Sequence, residues 1–224
     1  MCGRFAFYSP SEAAAALFGV DGALQVEPRF NIAPTQFVAA IREDSTKQRE
    51  MVMLKWGLIP SWAKDPKIGN RMINARAETV AEKPSYRAAF KHRRCIVLAD
   101  GFYEWHRQGD AKIPHYISLN SGEPFGLAAL WESWTDRVSG ESLQTTTLIT
   151  TAANDFMQPL HHRMPLILQP EAADDWLAGS ADFFNDAADR TPPLRAWPVT
   201  KAVNNARNQG ESLIEPATSS GDIE

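Results

Sequence analysis

Arg94-Cys95-Ile96-Val97-Leu98-Ala99, near the middle of the chain, places five apolar residues in a row behind one arginine and is typical of a buried β-strand. Five more runs of strand-forming residues lie before and after it. These runs are residues 36–42, 50–56, 115–119, 125–131 and 145–151. The chain is therefore predicted to be built mainly from β-strands.

Helices are predicted at only a few points between these strands. Ser9 is expected to cap a helix, with Pro10 at its first position, Glu12 completing a capping box and Gly19 ending it. Further helical stretches are residues 85–92, 154–158 and 170–177. Because strands and helices do not alternate regularly, a doubly wound parallel sheet is disfavoured. We expect an α+β fold: a curved, barrel-like β-sheet, mostly antiparallel or mixed, with peripheral helices.

Length and composition favour one domain. The 224 residues are 44% hydrophobic and 22% charged, which is enough to bury a full core. We expect residues 1–210 to form this domain. Residues 211–224, which end in small and polar residues, are predicted to be a flexible C-terminal tail.

Several classes of protein are disfavoured by what the sequence lacks. It has no charged-then-apolar leader and no run of about 18 apolar residues, so we expect a cytoplasmic protein with no membrane partner. The two cysteines, Cys2 and Cys95, argue against a disulfide framework and a cysteine-based zinc site. His161 and His162 are adjacent, and on an extended loop their rings would point in opposite directions, which disfavours a shared metal. We expect no metal and no cofactor, since glycine-rich phosphate loops and serine nucleophile elbows are also missing.

Charge is distributed unevenly along the chain. Residues 1–100 carry 15 basic and 10 acidic residues, for a net charge of +5, whereas residues 101–224 carry 8 and 17, for −9. A basic face from the first half could therefore contact phosphates although the whole chain is at −4. Such an imbalance is also common on ordinary solvated surfaces.

Cys2 follows the initiator Met1 directly. Removal of Met1 would leave an α-amine with a reference pKa of about 7.7 to 8.0 beside a thiol with a reference pKa of about 8.5, so both nucleophiles would be partly deprotonated near neutral pH. The alternative is that Cys2 is a small hydrophobic residue at the start of a buried strand over residues 2–7.

Polar residues in apolar surroundings mark candidate sites in the first half of the chain. Asn31 and Pro34 belong to a stretch that could form a rigid loop lining a cleft, or an ordinary turn. Trp56 is expected in the core, whereas Trp62 could stack on bases. Asn74 and Arg76 are two residues apart, so on an extended segment both would face the same way, the amide suited to a sugar or carbonyl oxygen and the guanidinium to a phosphate. A salt bridge from Arg76 to Glu78 is the structural alternative.

Two more candidates lie in the second half. Glu104 sits between Tyr103 and Trp105, where partial desolvation would raise its pKa and suit it to proton transfer, although alternation along a strand could equally turn it to water. His161, on a loop between residues 150–153 and an apolar strand at residues 166–168, could shuttle protons at physiological pH. Of the two adjacent histidines, His162 is expected to face solvent.

Taken together, six motifs in this order resemble the SOS-response-associated peptidase family, whose members protect abasic sites in DNA. The motifs are Met1-Cys2-Gly3-Arg4-Phe5, Phe30-Asn31-Ile32-Ala33-Pro34, Trp56-Gly57-Leu58-Ile59-Pro60, Ile73-Asn74-Ala75-Arg76-Ala77-Glu78-Thr79, Asp100-Gly101-Phe102-Tyr103-Glu104-Trp105 and His161-His162-Arg163-Met164-Pro165. The resemblance spans roughly residues 2–209. One departure is Ser61-Trp62-Ala63-Lys64, which lacks the second aromatic residue seen in some members.

The resemblance implies a function and a set of roles. After loss of Met1, Cys2 would form a thiazolidine crosslink with the aldehyde of an abasic site in single-stranded DNA. Glu104 would relay protons, His161 would protonate or orient the sugar oxygen and assist reversal, and Asn74 would position the terminus and the sugar. The residues expected to contact DNA are Arg4, Asn31, Pro34, Trp62, Arg76, Thr151 and Arg163. A monomer is expected, associated with the nucleoid when bound to damaged DNA.

Two alternatives from other classes stay open on the sequence alone. Met1-Cys2-Gly3 also begins glutamine amidotransferases that use an N-terminal nucleophile, but no matching glutamine-binding motif follows. A non-catalytic module for single-stranded DNA would use the tryptophans and the basic half of the chain only, and its binding would ignore abasic sites.

Overall fold

A computed structural model of the chain describes residues 2–179, 181–184 and 191–217. The strands are β1 (Phe5–Phe7), β2 (Arg29–Ile32), β3 (Phe37–Glu43), β4 (Arg49–Trp56), β5 (Asn74–Arg76), β6 (Arg94–Ala99), β7 (Gly101–Gln108), β8 (Ala111–Leu119), β9 (Phe125–Thr135), β10 (Ser142–Ala152), β11 (Arg163–Pro165), β12 (Ile167–Leu168) and β13 (Leu194–Pro198). The α-helices are α1 (Ser11–Leu17), α2 (Arg87–His92) and α3 (Ala173–Leu177). Short 3-10 helices cover Pro66–Arg71, Pro170–Ala172, Ala181–Phe184, Lys201–Asn204 and Glu211–Leu213.

A five-stranded barrel forms the centre of the fold. Its strands follow one another in the order β10-β4-β3-β6-β9, and pairing of β9 with β10 closes the ring. Neighbours are antiparallel except β4 and β10, which are parallel. All six residues of β6 are buried, which explains the continuous apolar character of this strand. The expected α+β class and the curved, mostly antiparallel sheet are confirmed.

A second sheet carries the N-terminal segment. Its strand order is β13-β8-β7-β1-β2, and β1 pairs with β7 through Phe5 opposite Phe102 and Ala6 opposite Gly101. Close approach of the strands requires glycine at residue 101, because a Cβ there would lie 2.3 Å from the phenol ring of Tyr116 and 2.6 Å from the carbonyl oxygen of Ile117. This pairing fixes residue 2 beside strand β7.

The C-terminal half of β10 has different neighbours from its N-terminal half. β5 pairs with it in parallel, with Leu148 opposite Asn74 and Thr150 opposite Arg76. On its other side β11 is antiparallel, with Ala152 opposite Arg163. Three motifs that are far apart in the sequence therefore meet at one end of the barrel.

The start of α1 differs from the predicted capping box. The helix begins at Ser11, and no side chain caps it. Ser9 instead donates its hydroxyl to Asp100, whose other carboxylate oxygen accepts the main-chain N–H groups of Tyr8 and Ser9 at 2.6 and 2.8 Å. The Ser9 hydroxyl, which the local pattern predicted to cap α1, therefore binds the buried carboxylate of Asp100 instead. The prediction that Gly19 ends this helix is confirmed, since Gly19 follows the last turn of α1 with a left-handed φ of +72°.

Two further predictions of local structure are corrected. Residues 154–158 form turns rather than a helix. Residues 211–217 pack against the second sheet instead of forming part of a flexible tail: Leu213 is buried, Trp197 donates its indole N–H to the Ile214 carbonyl at 2.8 Å, and Ala217 N–H bonds to Pro198 at 2.9 Å. Residues 218–224 lie outside the described part of the chain. Among the described residues, no helix has the length and apolar character needed to cross a membrane.

Candidate active site around Cys2

Cys2 is completely buried and held by its main chain. The side-chain amide of Asn74 donates to the Cys2 carbonyl oxygen at 2.7 Å. The thiol makes a long contact of 3.9 Å to the carbonyl of Arg4. Burial, aided by the negative charge of Glu104, raises the pKa of the Cys2 thiol to about 12. Burial therefore keeps the thiol protonated near neutral pH in the chain that carries Met1. The expectation of a partly deprotonated thiol concerns the chain without Met1 and stays a prediction.

Asn74 reaches Cys2 from strand β5. Its neighbour Ala75 is buried on the opposite face, as the alternation of a strand requires. The amide oxygen of Asn74 is shielded from solvent and accepts no hydrogen bond from any residue of the described ranges. Tyr86 fixes the main chain at this point by donating its hydroxyl to the Asn74 carbonyl at 3.3 Å. The site thus contains a positioned acceptor beside Cys2.

Glu104 lies in the middle of β7 and is only 4% exposed. Burial raises its pKa, and the charge of His162 acts in the opposite direction. The alternative that Glu104 faces water is wrong. The rings of Tyr103 and Trp105 do not lie beside Glu104, because neighbouring residues of a strand point to opposite faces. Tyr103 packs with Tyr116 in a separate small cluster. A raised pKa makes the carboxyl group of Glu104 a stronger base than an exposed glutamate, which suits it to proton transfer.

His161 and His162 lie at the mouth of the site. The turn that precedes them is closed by a bond from the His161 N–H to the Met157 carbonyl at 2.9 Å, so the segment is not extended and the two rings stack with centroids 4.3 Å apart. The prediction that the rings point in opposite directions is wrong. Nδ1 of His161 accepts the N–H of Arg163 at 2.9 Å, and burial lowers the pKa of this ring. His162 is exposed, as expected.

Arg4 and Asn31 form a buried connection between the N-terminal strands and the loop after β13. Nη1 of Arg4 donates to Oδ1 of Asn31 at 2.7 Å and to the Val203 carbonyl at 2.8 Å. The amide nitrogen of Asn31 donates to the carbonyls of Val203, Asn205 and Asn208 at 3.2, 3.0 and 3.0 Å. Asn31 is completely buried in strand β2. These bonds favour a structural role for Asn31 over contact with DNA.

The other arginines of the site differ in availability. Arg76 is exposed at the end of β5. Arg163 is engaged: both guanidinium nitrogens bind the carboxylate of Glu78, and Nη2 also donates to the Thr150 carbonyl at 2.6 Å. Glu78 therefore pairs with Arg163, not with Arg76 as the structural alternative supposed. Thr151 is half-buried in β10, opposite Met164.

Pro34 and Trp62 lie in loops with access to solvent. Pro34 is half-buried in the turn between β2 and β3, followed by Thr35 with a φ of +73°. Trp62 is 54% exposed, whereas Trp56 is buried, as expected, and donates its indole N–H to the Ile73 carbonyl at 2.9 Å. Among the described residues, no three His, Cys, Asp or Glu side chains are grouped as a metal ion requires.

Three interactions of the site were not predicted from the sequence. Tyr86 and Glu78 act on Asn74 and Arg163 across gaps of 12 and 85 residues, and no local pattern signals such pairs. His162 was assigned to solvent, yet its charge acts on Glu104. The sequence signal that could have indicated a role for His162 is its position directly after His161.

Comparison with known proteins agrees with this geometry. The family model described as "SOS response associated peptidase (SRAP)" matches residues 1–206. The chain is 41% identical to the "Abasic site processing protein YoaM" of Bacillus subtilis, over 96% of this chain and 98% of that protein. It is 34% identical to the "Abasic site processing protein YedK" of Escherichia coli, over 96% and 100%. A crystal structure of a Bacteroides thetaiotaomicron protein superposes with a TM-score of 0.83 at 26% identity, covering 96% of this chain and 100% of that one. The chain therefore belongs to the SOS response associated peptidase family.

Proposed function

We propose that this protein processes abasic sites in single-stranded DNA by capturing the ring-opened sugar on Cys2 after Met1 has been removed. The observation that carries the proposal is the placement of Cys2: its main chain is bound to Asn74 at 2.7 Å, and its thiol lies within the field of the Glu104 carboxyl group. Relatives named as abasic site processing proteins support the substrate class.

The chemistry requires both nucleophiles of one residue. The free amine of Cys2 adds to the aldehyde carbon C1′, and loss of one water gives a Schiff base. The thiolate then adds to the same carbon, and the nitrogen takes up a proton. The product is a five-membered thiazolidine joining protein and DNA, and one water is released for each aldehyde consumed. Hydrolysis of the Schiff base would return the free amine and the aldehyde and so reverse capture. β-Elimination from the Schiff base, with loss of a proton from C2′ and departure of the 3′ phosphate, would cleave the strand and give the associated lyase activity.

Proton transfers in this sequence suit Glu104. Because the thiol is buried and its pKa is raised, a base must remove the proton before sulfur can attack. Glu104 is buried beside it, and its raised pKa matches the task of giving a proton to the departing water and accepting one from sulfur. His161, whose neutral form is favoured by burial, would orient or protonate the sugar oxygen and assist reversal.

The remaining residues would position the strand. The amide oxygen of Asn74 is available to a sugar hydroxyl or to the mature amine. Arg76 and Thr151 at the end of the barrel would contact phosphates, and Trp62 and Pro34 would contact bases next to the lesion. Arg4 is held by the neutral amide of Asn31, so its contribution to binding would come mainly from its positive charge. Arg163 is paired with the carboxylate of Glu78, and a phosphate would have to compete with that partner.

The peptidase name of the family would refer to hydrolysis of the Met1–Cys2 peptide bond, by the protein itself or by an aminopeptidase. A monomer in the cytoplasm, associated with the nucleoid when DNA is damaged, would suffice for this activity.

The decisive experiment is incubation of the purified protein with single-stranded DNA containing one abasic site. We expect a complex that resists heat and detergent, and a mass equal to protein without methionine plus DNA minus one water. Cys2→Ala should abolish this complex, whereas the matched control Cys95→Ala, which removes the other buried thiol, should retain it. An equally stable crosslink in Cys2→Ala would overturn the mechanism. Release of ammonia from glutamine would instead favour the amidotransferase alternative.

A further inference from the structure

A basic groove lies beside helix α2, outside the site around Cys2. It is open to solvent, has a volume of about 580 Å³, and is lined by Arg87, Lys91, His92 and Arg94. None of the eight described residues that line it carries a carboxylate. A surface with this lining attracts anions.

Lys91 and His92 lie in the last turn of α2, where positive charge is favourable to the helix, but Arg87 is placed unfavourably. Arg87 and Lys91 are both exposed and lie four residues apart, so they share one face of α2 and repel each other. Arg87 is also the first residue of the helix, where a positive charge opposes the helix dipole, and the first turn has no acidic residue. A bound anion would relieve this repulsion.

Arg94 lies at the buried base of the groove, and its guanidinium is held in place. It is 7% exposed, its guanidinium carbon lies 4.1 Å from the ring centroid of Phe90 and 4.6 Å from that of Trp176, and it donates to the main-chain carbonyls of these two residues. Burial lowers its pKa to about 10, which still leaves it charged at neutral pH. A charge held in a partly buried position acts more strongly on an anion than a mobile surface charge does.

The groove is connected to the site around Cys2 by one residue. Tyr86, directly before Arg87, extends its hydroxyl group to the carbonyl of Asn74. Arg87, the first cation of the groove, therefore directly follows Tyr86, which contacts Asn74, the residue bound to Cys2.

We propose that the groove along α2 binds the phosphodiester groups of the DNA strand on one side of the captured nucleotide. The proposal rests on the proposed function and extends it, because it adds a second, sequence-independent contact region to the site. A polymer of phosphates fits an open groove with several separate cations better than a single small anion does.

The test compares two double variants that each remove two positive charges. Arg87→Gln/Lys91→Gln changes the groove. Lys47→Gln/Arg137→Gln, in the turns before β4 and β10, is the control, because β10 places Arg137 roughly 30 Å from Thr151. Affinity for intact single-stranded DNA of about 30 nucleotides and of about 8 nucleotides, the scale of one binding site, is measured at several salt concentrations.

We expect the groove variant to bind the longer strand roughly tenfold more weakly than the control, with a salt slope smaller by about 1.4, since each phosphate contact to single strands contributes about 0.7. On the short strand the two variants should agree. Equal affinities and slopes on the longer strand would overturn the proposal. So would displacement of DNA from the parent by inorganic phosphate at constant ionic strength, because that result assigns the groove to the free anion. The crosslinking assay separates this outcome from failure of the proposed function, since intact crosslinking in the groove variant leaves the Cys2 chemistry standing.

Discussion

Replacement of Asn31 by alanine tests whether this residue is structural. Its side chain is completely buried, and its four hydrogen-bond contacts join β2 to Arg4 and to the loop of residues 203–208. Removing the amide leaves the guanidinium of Arg4 and two main-chain carbonyls, those of Asn205 and Asn208, without this partner. Removing one partner of a buried hydrogen bond lowers stability more than removing both partners, because the polar group left behind stays buried without a hydrogen bond.

The expected loss of stability follows from these contacts. The amide nitrogen has two hydrogens, so its three contacts count as two neutral bonds of roughly 0.5–1.5 kcal/mol each, and the bond from Arg4 is charge-assisted and contributes roughly 1.5–3 kcal/mol. Some of the partners will regain water, so we expect Asn31→Ala to lower the free energy of unfolding by about 3–5 kcal/mol. This is a large fraction of the typical stability of a domain, about 5–15 kcal/mol.

Urea denaturation followed by linear extrapolation measures this change. Asn208→Ala is the matched control, since its exposed amide makes a single bond to the Ala202 carbonyl at 2.8 Å and its loss should cost less than about 1 kcal/mol. If Asn31→Ala loses less than about 1 kcal/mol yet binds DNA poorly, the structural assignment is wrong and contact with DNA is the better account.

Two further changes test the site and the second sheet. Because burial raises the pKa of Glu104, the folded state binds its proton more tightly than the unfolded state does, so this group destabilises the fold increasingly as pH rises through its folded pKa. Glu104→Gln should therefore melt at a higher temperature than the parent at pH 8, with the difference vanishing in acid below the unfolded pKa; a difference independent of pH would contradict this. Gly101→Ala should lose roughly 3 kcal/mol or more and soluble yield, because the new Cβ would overlap Tyr116 and a main-chain oxygen. Gly140→Asn, in an open turn with a φ of +75° that Asn tolerates, should melt near the parent temperature, and similar melting of both variants would refute the steric argument.

The barrel could be predicted from the sequence because its strands are long and apolar. Each of β3, β4, β6, β9 and β10 corresponds to a run of strand-forming residues that is visible locally. The strands β2 and β13 were missed because they are short and polar at several positions, and their conformation comes from pairing with β1 and β8. The packing of residues 211–217 was missed for a similar reason, since Leu213 and Ile214 are isolated apolar residues in a polar stretch.

The sequence indicated which residues belong to the candidate site better than it indicated their hydrogen-bond partners and pKa shifts. Alternation correctly separated Asn74 from Ala75, and the order of the motifs indicated which residues come together. The main-chain partners of Asn31 lie 172 to 177 residues away, and the carboxylate partner of Arg163 lies 85 residues away. These pairs were not predictable, because they depend on the closed fold. The raised pKa of the Cys2 thiol in the chain with Met1 could not be predicted, since reference values describe an exposed group and burial is a property of the whole structure. The pKa of this thiol after loss of Met1 stays a prediction.

The bond between Asn74 and Cys2 has a consequence for maturation. The accepting oxygen belongs to the carbonyl that links Cys2 to Gly3, on the opposite side of residue 2 from the peptide bond that hydrolysis would break. In the proposed maturation, cleavage would therefore create a new chain end without releasing its anchor. The nascent terminus would begin the proposed chemistry in a pocket that was assembled around it beforehand, and the ordering entropy of that end would already have been spent during folding.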